Sequence, residues 1–338
     1  MPPAPLPHKG LVLPFAGVNL IELSDIRDAA ARIRGRVHRT PLLPSASLGE
    51  RAHVRLLLKC ESFQKTGSFK PRGALNKVLC LSPAERARGL ITVSAGNHAQ
   101  AVAWAARQVG VPCVVVMPQD APRSKLDAVR GYGAEVILHA DRATLFDKLH
   151  EEEKARGSTF VHPFDDPVGL AGAGTVGLEI AEEAPDVAAV VVPVGGGGLL
   201  CGVACAIKAV LPRVRVIAVE LAAGPGLKPA LEAGKPVPVP RPANTLADGM
   251  TPPFVGAIPL EAARRLVDEI VTVTEEEIIA AMGLLLTRAK LYVEGSGAAA
   301  TAALLSGKVR LPEGSLTVSL VSGGNVDPER VCRALVGT

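Results

Sequence analysis

Apolar and polar positions fall into short, regular blocks along this chain, and the period of those blocks switches repeatedly between two and about 3.6. The first block, residues 21–33, has helical spacing, with Ser24 as the predicted N-cap and Asp25 and Asp28 in the opening turns. Thr40-Pro41-Leu42-Leu43-Pro44 reads as an extended connector, because a residue before proline avoids the helical region. An apolar run over 54–58 predicts a strand, and Lys70-Pro71 then opens a helix through Leu75 and Val78. Strands over 90–93, 113–117, 135–138 and 159–161 are predicted to alternate with helices over 97–108, 123–130 and 143–154. A helix over 170–183, a strand over 188–194, a helix over 199–210 and a strand over 214–220 continue the pattern. A Pro/Gly-rich interval, 224–259, interrupts it and is expected to wrap the surface or a cleft. A strand over 270–273, helices over 275–288 and 297–305, a strand over 316–321 and a helix after Asp327 close the chain.

Strand–helix alternation over this length predicts an α/β fold. Two lobes are expected, each a mostly parallel twisted sheet flanked by helices, with the ligand in the cleft beyond the carboxyl ends of the strands. Residues 1–20 read as a loosely docked tail, 21–87 and 166–338 as a large domain, and 88–165 as a small domain closing on the substrate. With 338 residues, 48% of them hydrophobic, the chain can bury a sizeable core.

Charge narrows the partners. There are 37 basic and 33 acidic residues, the basic ones are scattered, and aromatics make up 3%, so nucleic acid is not expected. No apolar run reaches the roughly 18 residues that span a bilayer, and the first residues lack a signal-peptide pattern. Cys60, Cys80, Cys113, Cys201, Cys205 and Cys332 show no CxxC spacing. They read as small buried apolar residues of a reducing compartment, which predicts a cytoplasmic protein. The histidines show no metal-ligand spacing.

Four sites carry candidate chemistry. Lys70 stands at a helix N-terminus, where the dipole disfavours an ammonium and favours a nucleophilic amine able to form a Schiff base. Gly195, Gly196, Gly197 and Gly198 lie between a buried strand and a helix, so successive amides can turn toward one phosphate. This is neither a Walker loop nor a first-unit dinucleotide fingerprint. Ser94-Ala95-Gly96-Asn97-His98 sits at a similar strand-to-helix turn and suits a carboxylate, with Asn97 as an ordinary cap being the structural alternative. Ser322, in Ser322-Gly323-Gly324-Asn325 after the last strand, offers a hydroxyl that can meet a neutral ring nitrogen.

Together the segments SFQKTGSFKPRGA, SAGNHAQAVAWAA, PVGGGGLLCG, TLADGM, VTVTEEEI and LVSGGNVD resemble the pyridoxal-phosphate fold type II (tryptophan synthase β-like) family. The likeness spans about residues 21–335 and is greatest to the serine/threonine dehydratase and serine racemase branch, in particular to short catabolic-type dehydratases. It implies pyridoxal 5'-phosphate as cofactor, held by Lys70 as a Schiff base, with Phe69 beside the ring and Asn97 on its 3-hydroxyl. Gly195 to Gly198 would take the phosphate and Ser322 the pyridine nitrogen, with Gly249 and Glu294 nearby. The loop of Ser94, Ala95, Gly96, Asn97 and His98 would hold the substrate carboxylate.

The implied reaction is dehydration and deamination of L-threonine or L-serine to a 2-oxo acid and ammonia. Alternatives are a bulkier substrate such as phenylserine or hydroxyaspartate, a serine racemase, a cysteine-synthase-like β-replacement enzyme, and a catalytically silent cofactor-binding protein. Family racemases place a serine where this chain has Ala95, which disfavours racemisation. Glu220 matches the first carboxylate of a divalent-cation site in some relatives, but the later Asp is missing, so a metal is not expected. A homodimer or homotetramer is implied. The chain ends about where the catalytic core should, so feedback control of the biosynthetic type is not expected.

Overall fold

A computed structural model describes residues 17–242 and 245–336. Its strands are β1 (Leu42–Pro44), β2 (Arg55–Cys60), β3 (Leu90–Val93), β4 (Cys113–Pro118), β5 (Glu135–His139), β6 (Thr159–Phe160), β7 (Ala189–Pro193), β8 (Arg215–Leu221), β9 (Glu269–Val273) and β10 (Leu316–Val321). They form two sheets, one of six strands in the order β1-β2-β10-β7-β8-β9 and one of four in the order β5-β4-β3-β6. Every pairing of these strands is parallel except β1 with β2.

Parallel strands covered on both faces read as continuous apolar runs, and every residue of β4, β7 and β10 is buried. Successive side chains still serve opposite faces. Val191, Ile217 and Val219 join the core under the helix Gly295–Leu305, whereas Val190, Val192, Val216 and Ala218 join the core under the helices Pro167–Glu183 and Gly198–Val210. In the smaller sheet Val115 and Met117 pack with Leu75 and Val78 of the helix Lys70–Cys80, and Val114 and Val116 pack with Leu149 on the other face.

The helix Lys70–Cys80 therefore touches the core of the smaller sheet while also packing on Pro167–Glu183. That second contact is close because of glycines. A methyl at Gly73 would sit 2.6 Å from the Gly169 carbonyl oxygen, and one at Gly172 would sit 2.5 Å from that of Arg72. The N-terminus of this helix is thus fixed between the two sheets.

Several sequence-based expectations need correcting. Ser24 is not the first helix's N-cap. The helix is Leu23–Ile33, and Glu22 closes its start through a reciprocal bond with Asp25. The connector at Pro41–Pro44 contains β1, whose residue Leu43 pairs with Leu58. The interval over 224–259 includes the helix Leu227–Ala233 and the start of Ala257–Leu266, each short enough to be hidden among prolines and glycines. Cys80 and Cys332 are exposed, and only Cys60, Cys113, Cys201 and Cys205 are buried. Most of the expected N-terminal tail, residues 1–16, lies outside the described residues. No helix among the described residues is long and apolar enough to cross a membrane.

Candidate active site

A cavity of about 580 Å³ opens between the two sheets. Strand ends and helix starts from both sheets converge on it, bringing Lys70, Asn97, Gly195 to Gly198 and Ser322 onto one surface. Phe69, Ser94, Ala95, Gly96, His98, Gly249 and Glu294 line it as well.

Lys70 is the first residue of its helix, with Pro71 behind it. Its Nζ donates to the Pro163 carbonyl oxygen at 2.6 Å and lies 5.1 Å from the centre of the Phe69 ring. Burial pulls its pKa down to about 8, so the uncharged amine is far more populated near neutrality than in an ordinary lysine, though still the minor form. Pro163 is itself held by a tight turn, in which His162 Nδ1 accepts from the backbone N–H groups of Phe164 and Asp165. Burial keeps His162 and His98 below the usual imidazole range, and His98 Nε2 lies 3.1 Å from the Val161 carbonyl oxygen. Both rings are therefore neutral neighbours of Lys70, with a proton on His98 Nε2 and none on His162 Nδ1.

The glycine turn is built so that side chains stay out. A methyl at Gly195 would lie 2.5 Å from the Gly249 carbonyl oxygen, and one at Gly196 would fall into the Phe164 ring. Gly197 has φ +85°, a conformation that glycine adopts without strain, and it caps the helix Gly198–Val210. The turn and the positive end of that helix border the cavity, which is the form of a phosphate cradle.

Opposite Lys70, Asn97 begins the helix Asn97–Val109, and Gly96, not Asn97, occupies the capping position. The Asn97 side chain is held at both ends. Its Nδ2 donates to Glu294 Oε1 at 2.6 Å, and its Oδ1 accepts from Asn325 Nδ2 at 2.8 Å. One N–H of the amide is left for another acceptor. Glu294 is buried and its carboxyl pKa rises to about 7. Burial is the main cause and the Asp248 charge adds to it, while Lys125 and the Asn97 bond oppose. Ser322 follows β10, and its hydroxyl makes one long bond, 3.4 Å, to the Ser296 carbonyl oxygen. Three buried polar atoms on this side have no partner among the described residues: Glu294 Oε2, Ser296 Oγ and Ser68 Oγ. Unpaired polar atoms are expensive inside a protein unless a ligand or water completes them.

Sequence reasoning missed three participants. Asp248 lies inside the segment TLADGM and Asn325 inside LVSGGNVD, so both were signalled but not singled out. Lys125 had no signal at all, and yet its Nζ donates to Asp248 Oδ2 at 2.7 Å across the cleft. Glu220 does not reach the cavity. Its carboxylate accepts from the backbone N–H groups of Gly226, Leu227 and Lys228 at 2.7, 2.6 and 3.2 Å and so anchors the start of the helix Leu227–Ala233. Among the described residues no group of three or more His, Cys, Asp or Glu side chains is placed to hold a metal.

The residues present fit pyridoxal phosphate. A cradle that any Cβ would fill, a half-buried amine of lowered pKa, and the unpartnered Ser296 hydroxyl and Glu294 carboxyl oxygen on the same cavity are what such a group requires. Residues 33–323 match the family model described as pyridoxal-phosphate dependent enzyme, and the chain belongs to that family. It is a cofactor-dependent enzyme of fold type II, with mostly parallel sheets flanked by helices in two lobes.

Individual relatives narrow the branch. The chain is 47% identical to an L-threonine ammonia-lyase of Geobacter sulfurreducens over 90% of its own length and 76% of that protein. It is 44% identical to the catabolic L-threonine dehydratase of Escherichia coli strain K12 over 92% of this chain and 95% of that one. Among solved structures it resembles maize serine racemase, with a TM-score of 0.88 and 36% identity, over 94% of this chain and 98% of the other.

Proposed function

We propose that the protein dehydrates and deaminates L-threonine, and L-serine as a smaller analogue, to a 2-oxo acid and ammonia. The observation that carries this reading is that Lys70, with an amine pKa near 8, shares one cavity with the Gly195–Gly198 turn and Ser322. The named activities of the relatives at 44–47% identity support it.

Lys70 would hold the cofactor covalently, Gly195 to Gly198 would bind its phosphate, and Phe69 would flank its ring. Asn97 would donate its remaining amide N–H to the 3-hydroxyl, and Ser322 would meet the pyridine nitrogen. Gly249 and Glu294 would border it. Bound there, pyridoxal phosphate supplies the electron sink that makes the substrate's α-proton acidic. Once freed by the substrate's amino group, Lys70 Nζ would take that proton while uncharged, a form that its lowered pKa makes more accessible at physiological pH. A serine opposite the ring nitrogen neither donates a permanent proton nor adds charge, which suits prompt loss of a β-hydroxyl. The loop of Ser94, Ala95, Gly96, Asn97 and His98 orients the α-carboxylate through its amides. The segment 88–165 is the small domain that closes on the substrate and excludes water. Ala95 has no proton to give, so nothing at that position serves a racemase. Four buried cysteines fit a reducing, cytoplasmic compartment.

The test is direct. Purified protein should show an absorbance band in the violet-blue that Lys70→Ala removes, and L-threonine should yield 2-oxobutyrate. A colourless protein that added pyridoxal phosphate leaves colourless would end the enzyme reading. Colour without release of an oxo acid would move the reading to another substrate or to β-replacement.

A further inference from the structure

The cavity wall holds a deeply buried cation whose position the mechanism above does not use. Lys125, on the helix Arg123–Gly131, is only 5% exposed, and its ammonium reaches Asp248 Oδ2 at 2.7 Å. Its stem and tip lie flat against the loop assigned to the substrate carboxylate. A methyl at Gly96 would be 3.3 Å from both Cδ and Nζ of Lys125. Lys125, Asp248, Ser94, Ala95 and Gly96 all border the same cavity. Burial pulls the pKa of this amine down, but Asp248 and Glu294 outweigh it and hold the pKa above the ordinary value.

We propose that Lys125 is a substrate-binding residue, with its ammonium selecting ligands that carry an α-carboxylate and Asp248 holding its place until such a ligand arrives. The inference rests on the reading of the loop at Ser94–His98 as the carboxylate site. Backbone amides supply direction but only partial charge, and one of them, Gly96 N–H, is already committed to Ser94 Oγ at 3.1 Å. A full positive charge beside the loop makes the recognition charge-assisted, which separates an acid from its amide or ester. An ammonium has three N–H donors, so Lys125 can keep Asp248 and bind a carboxylate together. A methyl at Gly96 would crowd the Lys125 side chain and displace it by a few tenths of an ångström, so the glycine lets Lys125 lie close to the loop.

The holoenzyme provides two readouts. The first is the KM and kcat for L-threonine. The second is the dissociation constant of L-alanine, which has no β-hydroxyl to lose, followed through the cofactor's absorbance band. Lys125→Met should raise both constants by about 10- to 100-fold, the range that one charge-assisted hydrogen bond carries, with a much smaller change in kcat. Preference for L-alanine over L-alaninamide should fall in parallel, and Lys125→Arg should recover part of it. If Lys125 served only to clasp Asp248, then Asp248→Asn would reproduce these losses. The expected result is that Asp248→Asn, in which Glu294 and an arriving carboxylate still favour the ammonium, loses less L-alanine affinity than Lys125→Met and keeps the acid-over-amide preference. Where Lys125→Met does not fold, Lys125→Gln supplies the same comparison.

Unchanged constants and unchanged acid-over-amide preference in Lys125→Met would overturn the proposal, as would an Asp248→Asn variant that matches it. If unaltered protein binds L-alanine in a Lys125-dependent way but releases no oxo acid from threonine, the lyase reading falls and this inference stands. If it binds no amino acid, both fall.

Discussion

Asn97 and Glu294, 197 positions apart in sequence, share a 2.6 Å hydrogen bond across the cleft, and the carboxyl that accepts it is held near a pKa of 7 by burial. A group poised there changes charge near neutral pH. Its proton balance makes a definite statement about stability. The folded pKa lies above the ordinary carboxyl value, so the folded state binds the proton more tightly than the unfolded chain does. The resulting stabilisation is fully present below the unfolded value of about 4.5 and is lost as pH rises through about 7. Glu294→Gln carries no such proton. The unfolding free energy of unaltered protein should therefore drop between pH 5 and 8 relative to Glu294→Gln, by about 1.4 kcal/mol for every tenfold difference in proton affinity between the folded and unfolded states. Denaturant titrations of the two proteins across that range measure the difference, and parallel curves would refute it.

Glycine at the turn proposed to bind the cofactor phosphate is needed for two separable reasons. At Gly195 the space beyond Cα belongs to the Gly249 backbone, which has no rotamer with which to yield. At Gly197 the backbone is left-handed, so a side chain costs about 1 kcal/mol before any clash is counted. Gly195→Ala should thus weaken pyridoxal phosphate retention by at least about tenfold, since the turn must shift to admit the methyl. Dialysis followed by spectroscopic reconstitution reads this directly. Gly234→Ala, also at positive φ but with open space around it and remote from the cavity, should lose stability without loss of cofactor affinity.

Glu220 should behave as a structural carboxylate. Three backbone N–H groups end on it, and a neutral amide accepts through one oxygen only. Glu220→Gln should cost about 1–3 kcal/mol of stability, because buried amides are left short of an acceptor. Chelator or added Mg²⁺ should leave the thermal midpoint where it was. A rise of several degrees with Mg²⁺ in the unaltered protein, absent in the variant, would restore the cation reading.

The parts of this site that could be read from the chain are local ones. Lys70 before a proline, four glycines after an apolar strand, and Ser94-Ala95-Gly96-Asn97 between strand and helix each declare a turn with exposed amides within a few residues. What could not be read depends on distance. Lys125 and Asp248 are 123 positions apart, and an isolated lysine on a polar helix reads as solvated until the fold buries it. The departures in the fold have the same origin. β1 is only three residues long and is specified by its partner β2 rather than by its own pattern. The helix Ala257–Leu266 carries Pro259 near its start, a position where proline is tolerated but where it masks the helical period. Ser24 had the right chemistry for a cap, but Glu22 and Asp25 form a reciprocal pair that starts the helix earlier.

Two residues beyond Lys70, Arg72 anchors the helix Lys70–Cys80. It is 1% exposed and bonds Glu61 through Nε and Nη2, both at 2.8 Å, and Glu179 through Nη1 and Nη2 at 2.6 and 2.9 Å. Lys59, fully buried, completes a set of two cations and two carboxylates by donating to Glu179 at 2.7 Å and to the Thr40 carbonyl oxygen at 2.7 Å. Burial opposes the Arg72 charge, but the two carboxylates outweigh it and keep the guanidinium ionised. Removing one member strands the others inside the protein, so Arg72→Met should destabilise by about 3–5 kcal/mol. Arg72→Lys keeps the charge but has no planar fork to meet two carboxylates, and should fall between Arg72→Met and the unaltered protein. Because the same turn of helix carries Phe69 and Lys70, loss of stability should be accompanied by loss of bound cofactor at temperatures where the fold survives. Denaturant midpoints and the violet-blue band, measured on the same samples, test both halves. An Arg72→Met protein as stable as the unaltered one would show that the network contributes nothing beyond what packed methylenes supply.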